Sequence, residues 1–288
     1  MTKQLNTKGL WSFLIITFGL TLLVILMMGL VGLKVVGDDV TSAQLIMLGV
    51  MFIPALAAFV TRKFITKEDW SDSGLRWAKF KNYLMVWLTI LVIFLVIYIV
   101  TALFGNAPDW GMANFAASIG EQVPESPGIA LLIIFLLTLF ATPFINSIAG
   151  FGEELGWRGF LLPKLMYLGT KRALITHAVI WGFWHVPFVL LLGFGGYANI
   201  WLGALYLWVL ISLIGIFFGY LRLRSGSTLV VSWAHGALNA QSYGVWLVIF
   251  PSLNKFFFGF SGLVGIVVFG VVALYCLQKL DKDKQIKI

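Results

Sequence analysis

The sequence predicts an all-α polytopic membrane protein, a bundle of about eight transmembrane helices that encloses a polar cavity within the membrane. Of the 288 residues, 60% are hydrophobic and only 11% are charged, whereas about 25% of residues are charged in soluble domains. The apolar residues occur in long runs, each able to cross a hydrocarbon core of about 30 Å. The few polar groups inside these runs are typical of functional positions, because burying them in a bilayer is costly.

Eight apolar segments are found with a window of about 19 residues. They cover residues 10–33, 42–61, 82–105, 128–150, 172–193, 199–221, 227–249 and 256–278. The first segment follows Lys3 and Lys8, as in a signal peptide. It is longer than the core of a signal peptide, which has about 7–15 residues, and it has no Ala-x-Ala cleavage site. We therefore expect it to be retained as the first span.

The Lys and Arg residues predict the orientation in the membrane. Eighteen of the 20 lie at the chain ends or in alternate connections, and only Lys34 and Lys255 lie on the other side. By the positive-inside rule, both termini are cytoplasmic. The same rule explains the net charge of +8, so we expect no nucleic-acid partner. The connection 62–81 is expected to be a solvated juxtamembrane segment, and 105–127 an external cap.

A charged group closes the fourth apolar segment. Glu153 and Glu154 are followed by Arg158. Glu154 and Arg158 are four residues apart, so on a helix they face each other as an ion pair. Glu153 lies about 100° round the helix from Glu154 and is left without a local partner.

All three histidines lie in two of the apolar segments. His177 and His185 lie in the fifth segment, where Pro187 is expected to bend the helix beyond His185. His235 lies in the seventh segment, four residues before Asn239, so the two side chains project from one face. The single cysteine, Cys276, excludes an internal disulfide and a cage of several cysteines around a metal.

A glutamate, a histidine and a His/Asn pair on three helices suit the hydrolysis of an amide by water. Glu153 can act as a general base, an imidazole can orient the water, and the His/Asn pair can stabilise an oxyanion. Alternatively, Glu153, His185 and His235 could bind a divalent metal such as zinc. A further alternative is a non-catalytic membrane immunity protein, binding protein or transporter that uses the pocket only to bind.

Other membrane hydrolases fit the sequence less well. No histidine is followed by glutamate, which excludes His-Glu-x-x-His, and no aspartate lies inside an apolar segment. Gly259–Gly262 is similar to the Gly-x-Ser-Gly of rhomboid proteases, but no histidine follows it.

Three motifs in order resemble those of the CPBP family of intramembrane proteases. They are Glu153-Glu154-x-x-x-Arg158, an aromatic-x-x-x-His185 and His235-x-x-x-Asn239. The family includes type II CAAX prenyl endopeptidases and the bacterial Abi or bacteriocin-processing proteins. The resemblance covers residues 127–245. The family's second motif usually begins with Phe, and this chain has Trp181 there, so we expect altered packing rather than lost chemistry.

The resemblance implies a role for each site residue. Glu153 would be the general base and His185 would help to hold the water. His235 and Asn239 would form the oxyanion side, whereas Glu154 and Arg158 would be orienting or structural. The implied activity is that of a CAAX-protease-like endopeptidase, acting near the cytoplasmic leaflet on a membrane-associated peptide or protein and requiring no cofactor.

The resemblance also divides the chain and implies a location. Residues 1–126 would hold the first three spans, 127–249 the catalytic core and 250–288 the last span with a basic cytoplasmic tail. The expected location is the plasma membrane of a bacterium, crossed several times.

The depths of Glu153 and His185 are expected to differ. At 1.5 Å per residue, His185 lies about 21 Å from Lys171, whereas Glu153 closes its segment near the cytoplasmic surface. A shared water therefore requires either that the fifth span begins outside the hydrocarbon or that Glu153 lies deeper than its charge suggests. We favour a water-filled cavity open to the cytoplasm, with Lys171 and Arg172 beyond the membrane.

Overall fold

The computed structural model describes residues 7–33 and 40–282, and these residues contain helices and no β-strand. Lys3, Lys34 and the end of the basic tail lie outside the described residues. The α-helices are α1 (Thr7–Leu30), α2 (Val40–Val50), α3 (Ile53–Val60), α4 (Phe80–Leu103), α5 (Ala113–Ser118), α6 (Pro127–Leu136), α7 (Thr142–Gly156), α8 (Leu162–Leu165), α9 (Thr170–Trp184), α10 (Val186–Leu192), α11 (Ile200–Ser225), α12 (Thr228–Tyr243), α13 (Val245–Ile249) and α14 (Leu263–Lys282).

Seven helical stretches in the described ranges are long and apolar enough to cross a membrane. They are Thr7–Leu30, Leu45–Thr66, Phe80–Leu103, Pro127–Leu168, Thr170–Leu192, Ile200–Ser225 and Leu263–Leu280. Each overlaps a predicted segment, so the protein is a polytopic helical membrane protein. The remaining predicted segment, 227–249, is divided into α12, of 16 residues, and α13, of 5 residues. Its longer helix is shorter than the roughly 20 residues that a full crossing needs.

The sequence predicted that the fourth segment ends near residue 150, and this prediction is wrong. Helical structure runs through α6, α7 and α8 to Leu168, a stretch of 42 residues that includes π-helical turns at Leu137–Ala141 and Trp157–Leu161. The charged residues that marked the predicted end of the segment are buried within this stretch. A hydropathy average over a window ends a span at charged residues because it counts them as solvated. Here the charged side chains are paired inside the bundle.

Glycines bring α7 close to its neighbours. A Cβ on Gly156 would lie 2.4 Å from Pro54 Cβ of α3. A Cβ on Gly236 of α12 would lie 2.1 Å from Ser147 Oγ of α7. Small residues allow helix backbones to approach in this way, and the approach places α3, α7 and α12 side by side at the level of the predicted site.

The connection 62–81 is exposed along most of its length, and a few buried residues attach it to the bundle. Arg62 is 1% exposed, and its guanidinium contacts the Asp72 carboxylate and the Gly159 carbonyl oxygen. Thr228 Oγ1 donates a hydrogen bond to Ser73 O at 2.6 Å. Mixed charges in a sequence indicate a polar segment, but they do not indicate that the charges pair within the fold.

Candidate active site

Glu154 holds two other side chains of the predicted site. Its Oε1 accepts a hydrogen bond from Arg158 Nη1 at 3.0 Å, so the ion pair predicted from the spacing is formed. The same oxygen lies 2.8 Å from His235 Nδ1 on α12. Glu154 and Arg158 are both 0% exposed, so solvent does not screen their charges. Glu154 thus ties the first motif to the third.

The contact with Glu154 defines the hydrogen position on His235. An ionised carboxylate only accepts hydrogen bonds, so Nδ1 of His235 carries the hydrogen. In the neutral ring, the lone pair is then on Nε2. This nitrogen faces Glu153, with 4.0 Å between Nε2 and Glu153 Oε1.

One oxygen of the Glu153 carboxylate is hydrogen-bonded, and the other is not. It is 3% exposed, and its Oε2 accepts a hydrogen bond from Trp181 Nε1 on α9 at 2.8 Å. Its Oε1 faces His235 Nε2 at 4.0 Å, a separation beyond a direct hydrogen bond. One oxygen of the carboxylate is therefore occupied, and the other faces a lone pair across a short gap.

His185 lies at the break between α9 and α10, immediately before the turn that contains Pro187, as the sequence predicted. Its Nδ1 is 2.9 Å from Trp181 O. A carbonyl oxygen only accepts, so Nδ1 carries the hydrogen and the neutral ring has its lone pair on Nε2. Among the described residues, no direct hydrogen bond joins His185 to Glu153. Trp181 connects them, because its carbonyl oxygen contacts one and its indole the other.

Glu153 and His185 lie at the same depth in the bundle. At 1.5 Å per residue, Glu153 lies about 22 Å before Leu168, and His185 about 22 Å after Thr170. A tight turn at Gly169 joins the two helical stretches, so equal lengths bring the two residues to the same level. The difference in depth expected from a fourth segment ending near residue 150 disappears.

Asn239 and His177 take no part in this hydrogen-bond network. Asn239 is half-buried one turn beyond His235 on α12, and within the described residues its amide makes no hydrogen bond. His177 is 0% exposed, and neither ring nitrogen has a hydrogen-bond partner in the described part of the chain. Asn239 therefore keeps its donors free for a ligand, whereas His177 is sealed in the helix packing.

The cluster is enclosed, in contrast to the predicted open cavity. His235 is 5% exposed, and the two glutamates are less exposed still. The half-buried residues His185 and Asn239 are the more accessible members. The helices close around the Glu154–Arg158 ion pair, although Glu154 Oε2 and two of the Arg158 nitrogens have no hydrogen-bond partner among the described residues. A peptide chain therefore needs side chains or helices to move before it reaches Glu153.

Trp181 is the site residue whose contacts the sequence did not reveal. It was predicted only as an aromatic with altered packing, yet its indole hydrogen-bonds Glu153. Its ring also stacks against the Arg158 guanidinium, with 3.9 Å between Arg158 Cζ and the ring centroid. A buried indole N–H usually has an acceptor, and this tendency was the signal available in the sequence.

The residues named for the metal alternative, Glu153, His185 and His235, are not gathered around one point in the described part of the chain. No group of three or more His, Cys, Asp or Glu side chains in the described ranges is arranged to hold a metal. Zinc ligands lie about 2.0–2.2 Å from the ion, which brings their atoms closer together than the 4.0 Å between Glu153 Oε1 and His235 Nε2. Glu154 and Trp181 also occupy the other polar atoms of this pair.

The fold and the cluster define a helical membrane protein with a buried glutamate–histidine–arginine site. Residues 128–241, which contain every predicted site residue, match the family model described as type II CAAX prenyl endopeptidase Rce1-like. The match confirms the resemblance to CAAX-type intramembrane proteases, and at the level of the family it implies endopeptidase activity. It does not bear on Abi or bacteriocin-processing functions. No curated protein matches the chain.

Proposed function

We propose that this protein is an intramembrane endopeptidase in which Glu153 activates water for the hydrolysis of a peptide bond. The observation that carries the proposal is the gap between Glu153 Oε1 and His235 Nε2. With a neutral His235 ring both atoms are acceptors, they are 4.0 Å apart, and each side chain is fixed by a separate hydrogen bond.

The gap fits one water molecule. A water oxygen about 2.8 Å from both acceptors subtends an angle of about 90° between them, within the range that hydrogen bonds accept. Such a water donates one hydrogen to Glu153 and the other to His235. Its lone pairs then point away from the two acceptors, toward a substrate carbonyl.

The reaction follows from these positions. Glu153 takes a proton from the water as the water oxygen bonds to the carbonyl carbon. The amide group of Asn239, one turn beyond His235, donates a hydrogen bond to the resulting oxyanion. The C–N bond breaks as Glu153 returns the proton to the leaving nitrogen. The geometry thus favours His235 as the residue beside the water, and His185 as a neutral acceptor on the accessible side.

We place the cleaved bond near the cytoplasmic leaflet of the plasma membrane of a bacterium. Support comes from basic connections that meet at one end of the bundle, where Lys164 contacts Glu68 and Arg222 Nη2 donates to Asp72 O at 2.8 Å. By the positive-inside rule, that end is cytoplasmic. The substrate is a membrane-associated peptide or protein.

The test uses purified protein in proteoliposomes. Peptides ending in a CAAX sequence, with and without a prenyl group, are offered and the products are identified by mass spectrometry. We expect cleavage that Glu153→Gln abolishes, because the amide keeps the shape of the side chain but is not a base. Glu125→Gln, an exposed carboxylate outside the cluster, is the matched control.

The two alternatives predict different results. A binding protein or transporter would bind peptide without releasing any fragment. A metal protease would lose activity with a chelator and regain it with zinc. Cleavage that survives Glu153→Gln would refute Glu153 as the base.

A further inference from the structure

Five side chains form a ring of contacts that is open at one link, where the proposed water lies. Glu153 Oε2 accepts from Trp181 Nε1 at 2.8 Å, and the Trp181 ring stacks on Arg158 at 3.9 Å. Arg158 Nη1 donates to Glu154 Oε1 at 3.0 Å, which lies 2.8 Å from His235 Nδ1. The ring returns to Glu153 across the gap of 4.0 Å. Four of the five links are direct contacts, and the fifth is the proposed place of the water.

We propose that Trp181 is a positioning residue, whose indole N–H fixes the Glu153 carboxylate with Oε1 toward the water. The proposal rests on the proposed function and deepens it. The terminal torsion of a glutamate is broad and roughly two-fold, so an unrestrained carboxylate samples many orientations. A hydrogen bond to Oε2 selects one of them.

Both the backbone and the ring of Trp181 contact neighbouring residues, so the position of its indole N–H is fixed relative to Glu153. Its carbonyl oxygen lies 2.9 Å from His185 Nδ1. Its ring contacts Arg158 on one face and lies 5.8 Å, centroid to centroid, from Phe218. The side chain is 2% exposed, and its ring packs edge-on against the His235 ring, with 5.9 Å between centroids. It therefore has almost no surface to offer a substrate, and its indole N–H acts through Glu153.

A phenylalanine at this position would keep an aromatic face for Arg158 but has no donor for Glu153. The two contributions can thus be separated. Replacing Trp181 with β-(3-benzothienyl)alanine is sharper still, because sulfur takes the place of the N–H in a side chain of nearly the same shape.

Trp184 provides a matched control on the same helix. It is also 2% exposed, and its Nε1 donates at 3.0 Å to Thr21 Oγ1, outside the ring of five. The same two replacements at Trp184 remove the same kind of hydrogen bond from the same kind of site. Any general effect of losing a buried indole N–H appears at both positions.

The experiment measures kcat, KM and thermal unfolding for both replacements at each tryptophan, in proteoliposomes and in detergent. At Trp181 we expect kcat to fall about tenfold to a hundredfold, the loss of about 1.4–2.7 kcal/mol of transition-state stabilisation, with KM and the unfolding temperature close to those of the Trp184 variants. A Trp181 variant that retains wild-type kcat, or loses no more than its Trp184 counterpart, would overturn the proposal while leaving Glu153-dependent cleavage intact. Cleavage that is insensitive to Glu153→Gln would overturn both this proposal and the proposed function.

Discussion

Replacing Glu154 with glutamine should unfold the protein more readily and stop catalysis, although the side chain keeps its shape. Glu154 Oε1 serves both Arg158 Nη1 and His235 Nδ1. Glu154 and Arg158 are 0% exposed, so the substitution leaves a buried guanidinium without its hydrogen-bonded counter-charge. Breaking a buried pair by removing one partner costs about 3–5 kcal/mol, which corresponds to a fall in unfolding temperature on the order of 10 °C.

The loss of activity has a separate cause. A glutamine amide can donate as well as accept, so it no longer imposes the hydrogen on His235 Nδ1 and the lone pair on Nε2. We expect kcat to fall about 10²–10⁴-fold, the range contributed by a positioned acid–base group. Thermal unfolding in detergent and peptide cleavage in proteoliposomes measure the two effects separately, with the exposed Glu125→Gln as a control.

A second substitution distinguishes the two causes. Adding Arg158→Met to Glu154→Gln removes the unpaired charge, so most of the stability should return. Activity should not return, because His235 still lacks its carboxylate. A Glu154→Gln protein that unfolds within about 2 °C of the wild type would refute the buried-charge reasoning, and one with a wild-type rate would refute the role given to His235.

Three further predictions concern packing, the oxyanion and metals. In Gly236→Ala, a Cβ would meet Ser147 Oγ at 2.1 Å, so α7 and α12 separate and both stability and cleavage fall. Gly270→Ala, with nothing within 4 Å of the new atom, should leave stability and cleavage unchanged. Equal losses in Gly236→Ala and Gly270→Ala would contradict the steric explanation. Asn239→Ala should lower kcat about 10²–10³-fold, as expected for an oxyanion donor, at an unchanged unfolding temperature, and a rise in KM with kcat unchanged would exclude that role. A chelator should leave initial rates of cleavage unaltered, and a loss restored by zinc would revive the metal alternative.

Local spacing was sufficient to predict part of the site. Glu154 and Arg158 pair because four residues on a helix bring two side chains to one face, a relation that holds wherever the helix lies. The break at His185 follows from Pro187, which lacks a backbone donor. The apolar segments appear as helices for a similar reason, since backbone groups in lipid must be satisfied within the segment itself.

Contacts between distant parts of the chain could not be obtained in this way. The bond between Glu154 and His235 joins residues 81 positions apart, and that between Trp181 and Glu153 joins residues 28 positions apart. Nothing in their local sequence specifies the partner. The roles implied by the family resemblance placed His185 beside the water, whereas the geometry places His235 Nε2 opposite Glu153 Oε1 at 4.0 Å.

The fourth segment shows which features follow from the sequence and which depend on tertiary packing. The chain's residue types and their order determined a helical membrane protein, the i, i+4 ion pair and the set of polar groups inside the bundle. Tertiary packing decided that the helix continues through Glu153 to Leu168, because the charged groups that would end a span in lipid are hydrogen-bonded by α12 and stacked against α9. It also decided which oxygen of Glu153 is held by Trp181 and which is left facing the gap, since hydrogen-bond partners depend on which helices meet and not on their separation in the chain.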